Sequence, residues 1–245
     1  MRNILLFILA VLCLSNTSYS YDSIYINIAI NDKNYKQIIL KDNHNVNNLK
    51  FRSLRLAEDT FNINTFKSEF YQINIKKNIK IFNKKISYFE ISPVMNDRFK
   101  HILWLYKNNI IVRHEIYDLK NSLLYSSGYL NNFPEHKKKI INITRKSKNT
   151  NNDLDRYKGF FLIYESTLDN YIKHMLYSDG LNRFSLFVKK VYDENTDYQK
   201  IMFGNYVLSK KYRDKLYIII GTIPYEQMQG FLKQYISKKE EINEN

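Results

Sequence analysis

Between residues 23 and 130 the apolar residues fall in short runs, five of them closed by a turn-prone pair, and this spacing restricts the fold more than any other feature. Ile24, Ile26, Ile28 and Ile30 lie on one side of the first run, the period of two expected of a half-buried strand. Similar runs occupy 49–56, 60–66, 70–75, 79–82, 86–91, 99–106, 110–117 and 123–130. Between them stand Asn31-Asp32, Asn83-Lys84, Asn96-Asp97, Asn108-Asn109 and Lys120-Asn121. Asn and Asp close turns through their own side chains and tolerate positive φ. Many consecutive short strands with tight connections predict an antiparallel sheet, curled into a half-barrel, over 21–130.

The composition changes at residue 131. From 131 to 156 the chain is rich in Lys, Asn, Ser and Thr, and includes Lys137-Lys138-Lys139. Such a stretch buries too little apolar surface to offset its ordering entropy, which predicts a linker. A second unit, 157–237, contains two readable hairpins. One pairs 171–177 with 183–192 around Ser178-Asp179-Gly180, and the other pairs 206–210 with 216–221 around Tyr212-Arg213-Asp214. Asp179 and Gly180 are expected to form a structural turn, since Asp-Gly accepts the positive φ that a tight hairpin demands. Pro224 suits a first helical turn, and Met228, Phe231, Leu232, Tyr235 and Ile236 then mark one face of a helix. The tail, 238–245, is expected to fray. The fold class is thus α+β and mostly antiparallel β, a half-barrel followed by a small sheet with one C-terminal helix.

The first 20 residues read as an export signal. Arg2 precedes an apolar run from Ile4 to Leu14, and Ser18-Tyr19-Ser20 supplies a small-x-small cleavage pattern. The run is shorter than the ~20 residues of a membrane-spanning helix. The only cysteine, Cys13, lies inside it. The formal net charge of +14 would suggest nucleic acid in a cytoplasmic protein, but an exported one meets anionic lipid, lipopolysaccharide or acidic protein segments. A general excess of Asn, Ile, Lys and Tyr offers a plainer source for the same charge, as solvated lysines.

The usual catalytic signatures are missing. All 6 glycines lie at or after Gly128 and stand singly, so neither a P-loop nor a dinucleotide fingerprint is present. His44, His101, His114, His136 and His174 form no metal-binding or catalytic spacing, and there is no G-x-S-x-G. No enzyme activity, cofactor or metal is expected. Aromatic residues make up 15% of the chain. In strands they serve cross-strand packing, and on a curved sheet they can also line a groove for an acyl chain or peptide.

Several segments together carry a family resemblance. They are Ile91-Ser92-Pro93, Asn96-Asp97-Arg98-Phe99-Lys100-His101-Ile102-Leu103-Trp104-Leu105 and Val112-Arg113-His114-Glu115-Ile116-Tyr117-Asp118. In the second unit they are Leu176-Tyr177-Ser178-Asp179-Gly180-Leu181, Phe184-Ser185-Leu186-Phe187-Val188, Gly204-Asn205-Tyr206-Val207-Leu208-Ser209 and Ile218-Ile219-Ile220-Gly221-Thr222-Ile223-Pro224. In order and spacing, over 86–236, they resemble the MucB/RseB family of periplasmic regulators. The chain departs from the pattern before residue 86, where it is shorter. It also departs at Tyr106, which follows Trp104-Leu105 where the family has an acid, and at Thr222, where the family has Glu.

The resemblance implies a half-barrel similar to lipoprotein carriers, followed by a small C-terminal domain. It implies a periplasmic, non-enzymatic negative regulator that binds the periplasmic part of a membrane-anchored anti-sigma factor and shields it from proteolysis. Release by lipopolysaccharide or lipoprotein acyl chains is part of that expectation, and a homodimer is compatible with it. A lipid or lipoprotein carrier on the same half-barrel is the alternative, and an exported hydrolase a more distant one. The residues expected at a partner surface are Trp104, Tyr106, Arg113, Tyr177, Arg183 and Phe184, types that combine apolar area with a polar handle or anchor interfaces. Mass spectrometry of the exported protein should find Tyr21 at its N-terminus, and retention of Met1 or Arg2 would refute the cleavage site.

Overall fold

The computed structural model describes residues 24–30, 34–40, 61, 66, 68–129, 156–168, 171–192 and 197–244. The leader expected at 1–20, the run at 49–56 and all of the 131–156 linker except Arg156 lie outside the described residues. The described residues form two antiparallel sheets of seven strands each. The first, a curled half-barrel sheet, consists of β1 (Ile24–Ile30), β2 (Asn34–Leu40), β3 (Tyr71–Ile81), β4 (Lys84–Pro93), β5 (Lys100–Tyr106), β6 (Ile110–Tyr117) and β7 (Leu123–Tyr129). Their order is β2-β1-β7-β6-β5-β4-β3, so β1 returns to pair with the last strand, with Ile24 opposite Tyr129.

The second sheet comprises β8 (Arg156–Tyr157), β9 (Phe160–Leu168), β10 (Ile172–Ser178), β11 (Arg183–Lys190), β12 (Tyr198–Met202), β13 (Asn205–Tyr212) and β14 (Lys215–Gly221), in the order β12-β13-β14-β11-β10-β9-β8. Helix α1 (Tyr225–Glu244) packs against it. Met228, Phe231, Leu232 and Tyr235, the face anticipated from the 3.6-residue period, are buried among Tyr157, Phe160, Tyr177, Phe184, Leu186 and Ile219. Phe184 is the hub of this core, 4.8 Å from the Phe231 ring, 5.0 Å from Tyr177 and 5.3 Å from Phe160. Edge-to-face and offset contacts of this kind add to the area that each ring buries.

The second sheet is larger than its two readable hairpins suggest, because β8, β9 and β12 join it at the edges. In β9 the run Phe160–Leu168 is apolar at first and then polar, with no alternation to mark it. In the first sheet the runs at 70–75 and 79–82 belong to the single strand β3. A bulge between Lys76 and Ile79, with Asn78 at φ 61°, interrupts its pairing with β4 and resets which residues face each side. Asn83, Asn109 and Asn121 also take positive φ, the conformation their side chains tolerate best among non-glycine residues. The helix continues past Lys238 to Glu244, where a frayed end is expected from the sequence. Glu240 accepts a hydrogen bond from the Tyr212 hydroxyl at 3.0 Å and pairs with Arg213 at 2.7 Å, which ties the last turns to the β13–β14 hairpin.

His174 on β10 is buried, its Nε2 3.0 Å from Ser185 Oγ and its ring flat on Phe187 at 4.4 Å. Burial lowers its pKa from 6.5 to about 4. Above pH 6.5 the ring is neutral in both folded and unfolded chains. Between pH 6.5 and about 4 the unfolded chain takes up a proton that the folded one refuses, so this part of the stability is lost as pH falls through that window. Urea denaturation of His174→Leu should show a shallower loss over the same interval, and a slope equal to wild type would contradict this role.

Candidate functional site

The Asp179-Gly180 turn between β10 and β11 does more than reverse the chain: it enters the first sheet. Gly180 has φ 98°, a conformation open to glycine. Asp179 Oδ1 accepts the backbone N–H groups of Leu181 (2.9 Å) and Asn182 (2.7 Å), which shapes the loop. Its Oδ2 faces the other sheet, where it accepts from the Tyr71 hydroxyl at 2.5 Å and Arg98 Nη1 at 2.7 Å. Leu181 follows into an apolar cluster with Phe61, Phe66, Tyr71, Ile91, Leu103 and Ile111.

Arg98 and Asp179 have no exposed side-chain surface. Arg98 precedes β5, and its guanidinium also donates to the Lys158 carbonyl at 2.5 Å and to Asp97 Oδ1 at 3.2 Å. It lies 3.9 Å from the Phe70 ring centroid and 4.9 Å from that of Phe160, so rings from both sheets enclose it. Burial opposes the charge on Arg98, but Asp179, Tyr71 and Asp97 more than offset it and its pKa is raised. Tyr71 is held protonated by burial first and by Asp179 second, which keeps it a donor.

Asn182 extends the network inward. Its Nδ2 donates to the Tyr71 oxygen at 2.8 Å, and its Oδ1 faces His101 Nε2 at 3.0 Å. His101 Nδ1 lies 3.0 Å from His114 Nε2 across β5 and β6. The network assigns the tautomers: Asn182 Oδ1 can only accept, so His101 carries its proton on Nε2 and accepts from His114. The chain of bonds is satisfied with both rings neutral and broken when both are cations, because two N–H groups would then meet. Among the described residues no group of three or more His, Cys, Asp or Glu is placed to hold a metal.

Two other tight turns dock along the same seam. Lys158 and Gly159 (φ 43° and 84°) connect β8 to β9, and a Cβ on Gly159 would stand 2.3 Å from a Phe70 ring carbon. Phe203 and Gly204 (φ 51° and 72°) connect β12 to β13, with Phe203 against the Phe99, Leu124 and Tyr125 cluster and the Gly204 N–H on the Ala29 carbonyl at 3.0 Å. Tyr206 completes this contact, edge-on to Phe99 and donating to Asp118 at 3.2 Å. Beside it runs a groove of about 390 Å³, lined by Leu119, Lys120, Lys200, Tyr206, Tyr225 and Glu226 among others.

The six residues expected at a partner surface do not form one patch. Tyr177 and Phe184 are fully buried in the second core, where their rings stack on each other, so their place on a surface is corrected to core packing. Arg183 is half-buried at the seam, with its backbone bonded to Thr222 N at 2.9 Å and Thr222 Oγ1 at 3.2 Å. Trp104, Tyr106 and Arg113 sit together on the face of the first sheet opposite the Arg98–Asp179 pair, the latch between the sheets. There Arg113 covers Trp104 at 4.7 Å and bonds Glu115 at 2.5 Å, while Lys84 and Lys107 flank the Tyr106 ring. The seam residues Tyr71, Arg98, His101, His114 and Asn182 were not singled out by sequence. The available signal was Arg98 between Asp97 and Phe99, a charge at the mouth of an apolar strand.

Because Gly180 and Gly159 both take positive φ and Gly159 also meets Phe70, Gly180→Val and Gly159→Val should each destabilise the protein by about 1–3 kcal/mol in chemical denaturation. Loss of partner binding with unchanged stability would instead place Gly180 in a recognition surface.

Comparison with known proteins places this geometry. Residues 149–235 match the family model of the MucB/RseB C-terminal domain. Among solved structures, the complex of MucA and MucB from Pseudomonas aeruginosa is similar over 86% of this chain and 90% of that one, at 11% identity and a TM-score of 0.53. A crystal structure of MucB is similar over 67% and 63%, at 14% identity and 0.50. MucB in complex with MucA(peri) gives 67% and 66%, 15% and 0.49. The chain thus spans about two thirds of the length of two of these structures, and at such identities the likeness to the MucA–MucB complex and to MucB alone speaks to the fold and nothing further. No curated protein matches the sequence. Residues 149–235 thus form a domain of the MucB/RseB C-terminal type.

Proposed function

We propose that this protein is an exported regulator that binds the periplasmic segment of a membrane-anchored anti-sigma factor and shields it from proteolysis. The observation that carries the reading is the family match of the second sheet, supported by a fold shared with a MucB solved together with MucA. The mechanism requires no chemistry from the chain. A bound segment withholds its cleavage site in proportion to the bound fraction, and a ligand that favours the released form shifts that equilibrium by linkage. Lipid or lipopolysaccharide in this role would use the apolar face of the first sheet, where Ile79, Ile81, Ile86, Val112, Trp104 and Tyr106 cluster.

The seam groove supplies cations, Lys120 and Lys200, next to apolar Leu119, Tyr206 and Tyr225. That combination suits an acidic segment with apolar anchors. No helix among the described residues is long and apolar enough to cross a membrane. The test is affinity between the purified protein and the periplasmic segment of an anti-sigma factor encoded beside it. Binding should weaken as salt rises, and the paired substitution Lys120→Glu with Lys200→Glu should weaken it by about 5–10-fold or more. The bound segment should also be cleaved more slowly by the protease that attacks it. No binding at low salt would overturn the regulator, and normal binding by the variant would move the site elsewhere.

A further inference from the structure

The groove beside the seam runs along a strand edge. Strand β12 is the last of its sheet, and the Phe203-Gly204 turn, with both φ values positive, sets which of its backbone groups face outward. In a two-residue hairpin of this kind the flanking pair, Met202 and Asn205, exchanges both main-chain hydrogen bonds, and along an antiparallel ladder such pairs alternate with pairs that exchange none. Tyr198, Lys200 and Met202 therefore direct their N–H and C=O groups to β13, whereas those of Gln199 and Ile201 point away from it. Both of these residues line the groove, and among the described residues no strand pairs with that edge. The edge of β9 beyond the short β8 is open as well. The same alternation, started from the Asp179 N–H bond to the Asn182 carbonyl at 3.3 Å, turns Glu165 and Thr167 outward there, but onto exposed surface outside this groove.

The walls of the groove limit what can complete the β12 edge. Ile201 stands opposite Tyr206, so the side chains of Gln199 and Ile201 share a face with Tyr206, on which Tyr225 packs at 4.5 Å. Lys200 points to the other face, over the Tyr198 ring at 4.4 Å. Among the described residues neither the Lys200 ammonium nor that of Lys120 pairs with a carboxylate, and Glu226 is the one acid along the groove. Two turns of a helix 10 Å across would fill on the order of 800 Å³, about twice the 390 Å³ of the groove. An extended chain at the usual strand spacing of about 4.8 Å from β12 suits it.

From this we infer that the partner segment enters the groove in extended form and joins the second sheet as a further strand, bonded main chain to main chain at Gln199 and Ile201 of β12. The chemistry selects a segment of alternating pattern, because successive residues of a strand point to opposite faces. Acidic side chains fall on the Lys200 face and apolar ones on the face of Tyr206 and Tyr225. At sites of this kind the main-chain bonds supply affinity for a stretched chain, and the walls choose its sequence. The inference rests on the regulator reading of the groove, and adds to it the conformation and the side-chain pattern of the bound segment.

The experiment measures amide hydrogen exchange and affinity with the purified protein and the periplasmic segment of the anti-sigma factor encoded beside it. Binding should slow exchange at the Gln199 amide by about tenfold or more and leave Glu165 and Thr167, at the other open edge, unchanged. Gln199→Pro removes the outward N–H at a place where no ladder bond depends on it. It should bind about tenfold more weakly than Gln199→Ala, which keeps the N–H, while Thr167→Pro binds as wild type does. The exchange measurement needs no variant, so it decides the matter even where a proline disturbs folding. Equal affinity of Gln199→Pro and Gln199→Ala, or an unchanged Gln199 amide in the bound protein, would overturn the inference. If Lys120→Glu with Lys200→Glu still weakened binding in that case, strand addition would fail and the regulator reading would stand. No binding at low salt would overturn both.

Discussion

The two sheets are held in register by a pair of opposite charges that have no contact with water. Burying Arg98 and Asp179 carries a desolvation penalty of several kcal/mol per ion, repaid only when each remaining donor and acceptor is matched. The matching draws on both halves of the chain. Asp179 accepts from Tyr71 and Arg98 of the first sheet and from its own turn, while Arg98 reaches the Lys158 carbonyl of the second. Any compact arrangement that buried one ion without the other would leave an uncompensated charge, so the pair discriminates sharply between the docked arrangement and a misdocked one.

That constraint explains the shape of the neighbouring parts. The β10–β11 turn must be tight to deliver Asp179, which requires Gly180 at positive φ. Leu181 and Asn182 enter with it, one into an apolar cluster and the other onto Tyr71 and His101. Phe70 lies flat under the guanidinium and against Gly159, so a single ring serves both the ion pair and the close approach of β8–β9. The groove along the seam exists because these contacts fix the distance between β6–β7 and the start of α1. A partner that reads residues from both sheets therefore depends on the latch, though it need never touch it.

Much of the scaffold is legible in the sequence, and the seam is not. Alternating isoleucines and Asn-containing separators mark β1 and β4 through β7, and the 3.6-residue spacing after Pro224 marks α1. Strands β2, β9 and β12 escape because edge position and uneven exposure erase the alternation. Asp179-Gly180 reads as a turn, but nothing in the local sequence says what Asp179 meets, because its partner lies 81 residues away. His101 and His114 have no motif spacing, since they meet across a strand pair and not along a helix. Tyr177 and Phe184 show the opposite failure: residue types common at interfaces are equally suited to a core, and only burial separates the two roles.

The most direct test of the latch is a double-mutant cycle on Arg98→Met and Asp179→Leu, measured by urea denaturation. Removing either ion alone leaves the other buried and unpaired, so each single variant should lose about 3–5 kcal/mol. The double variant should lose less than the sum, because it leaves no unpaired buried ion, and what it still loses reflects the Tyr71 hydroxyl, the Leu181 and Asn182 N–H groups and the Lys158 carbonyl that the pair also served. Additive losses, or single variants within about 0.5 kcal/mol of wild type, would show that the buried pair does not hold the sheets together.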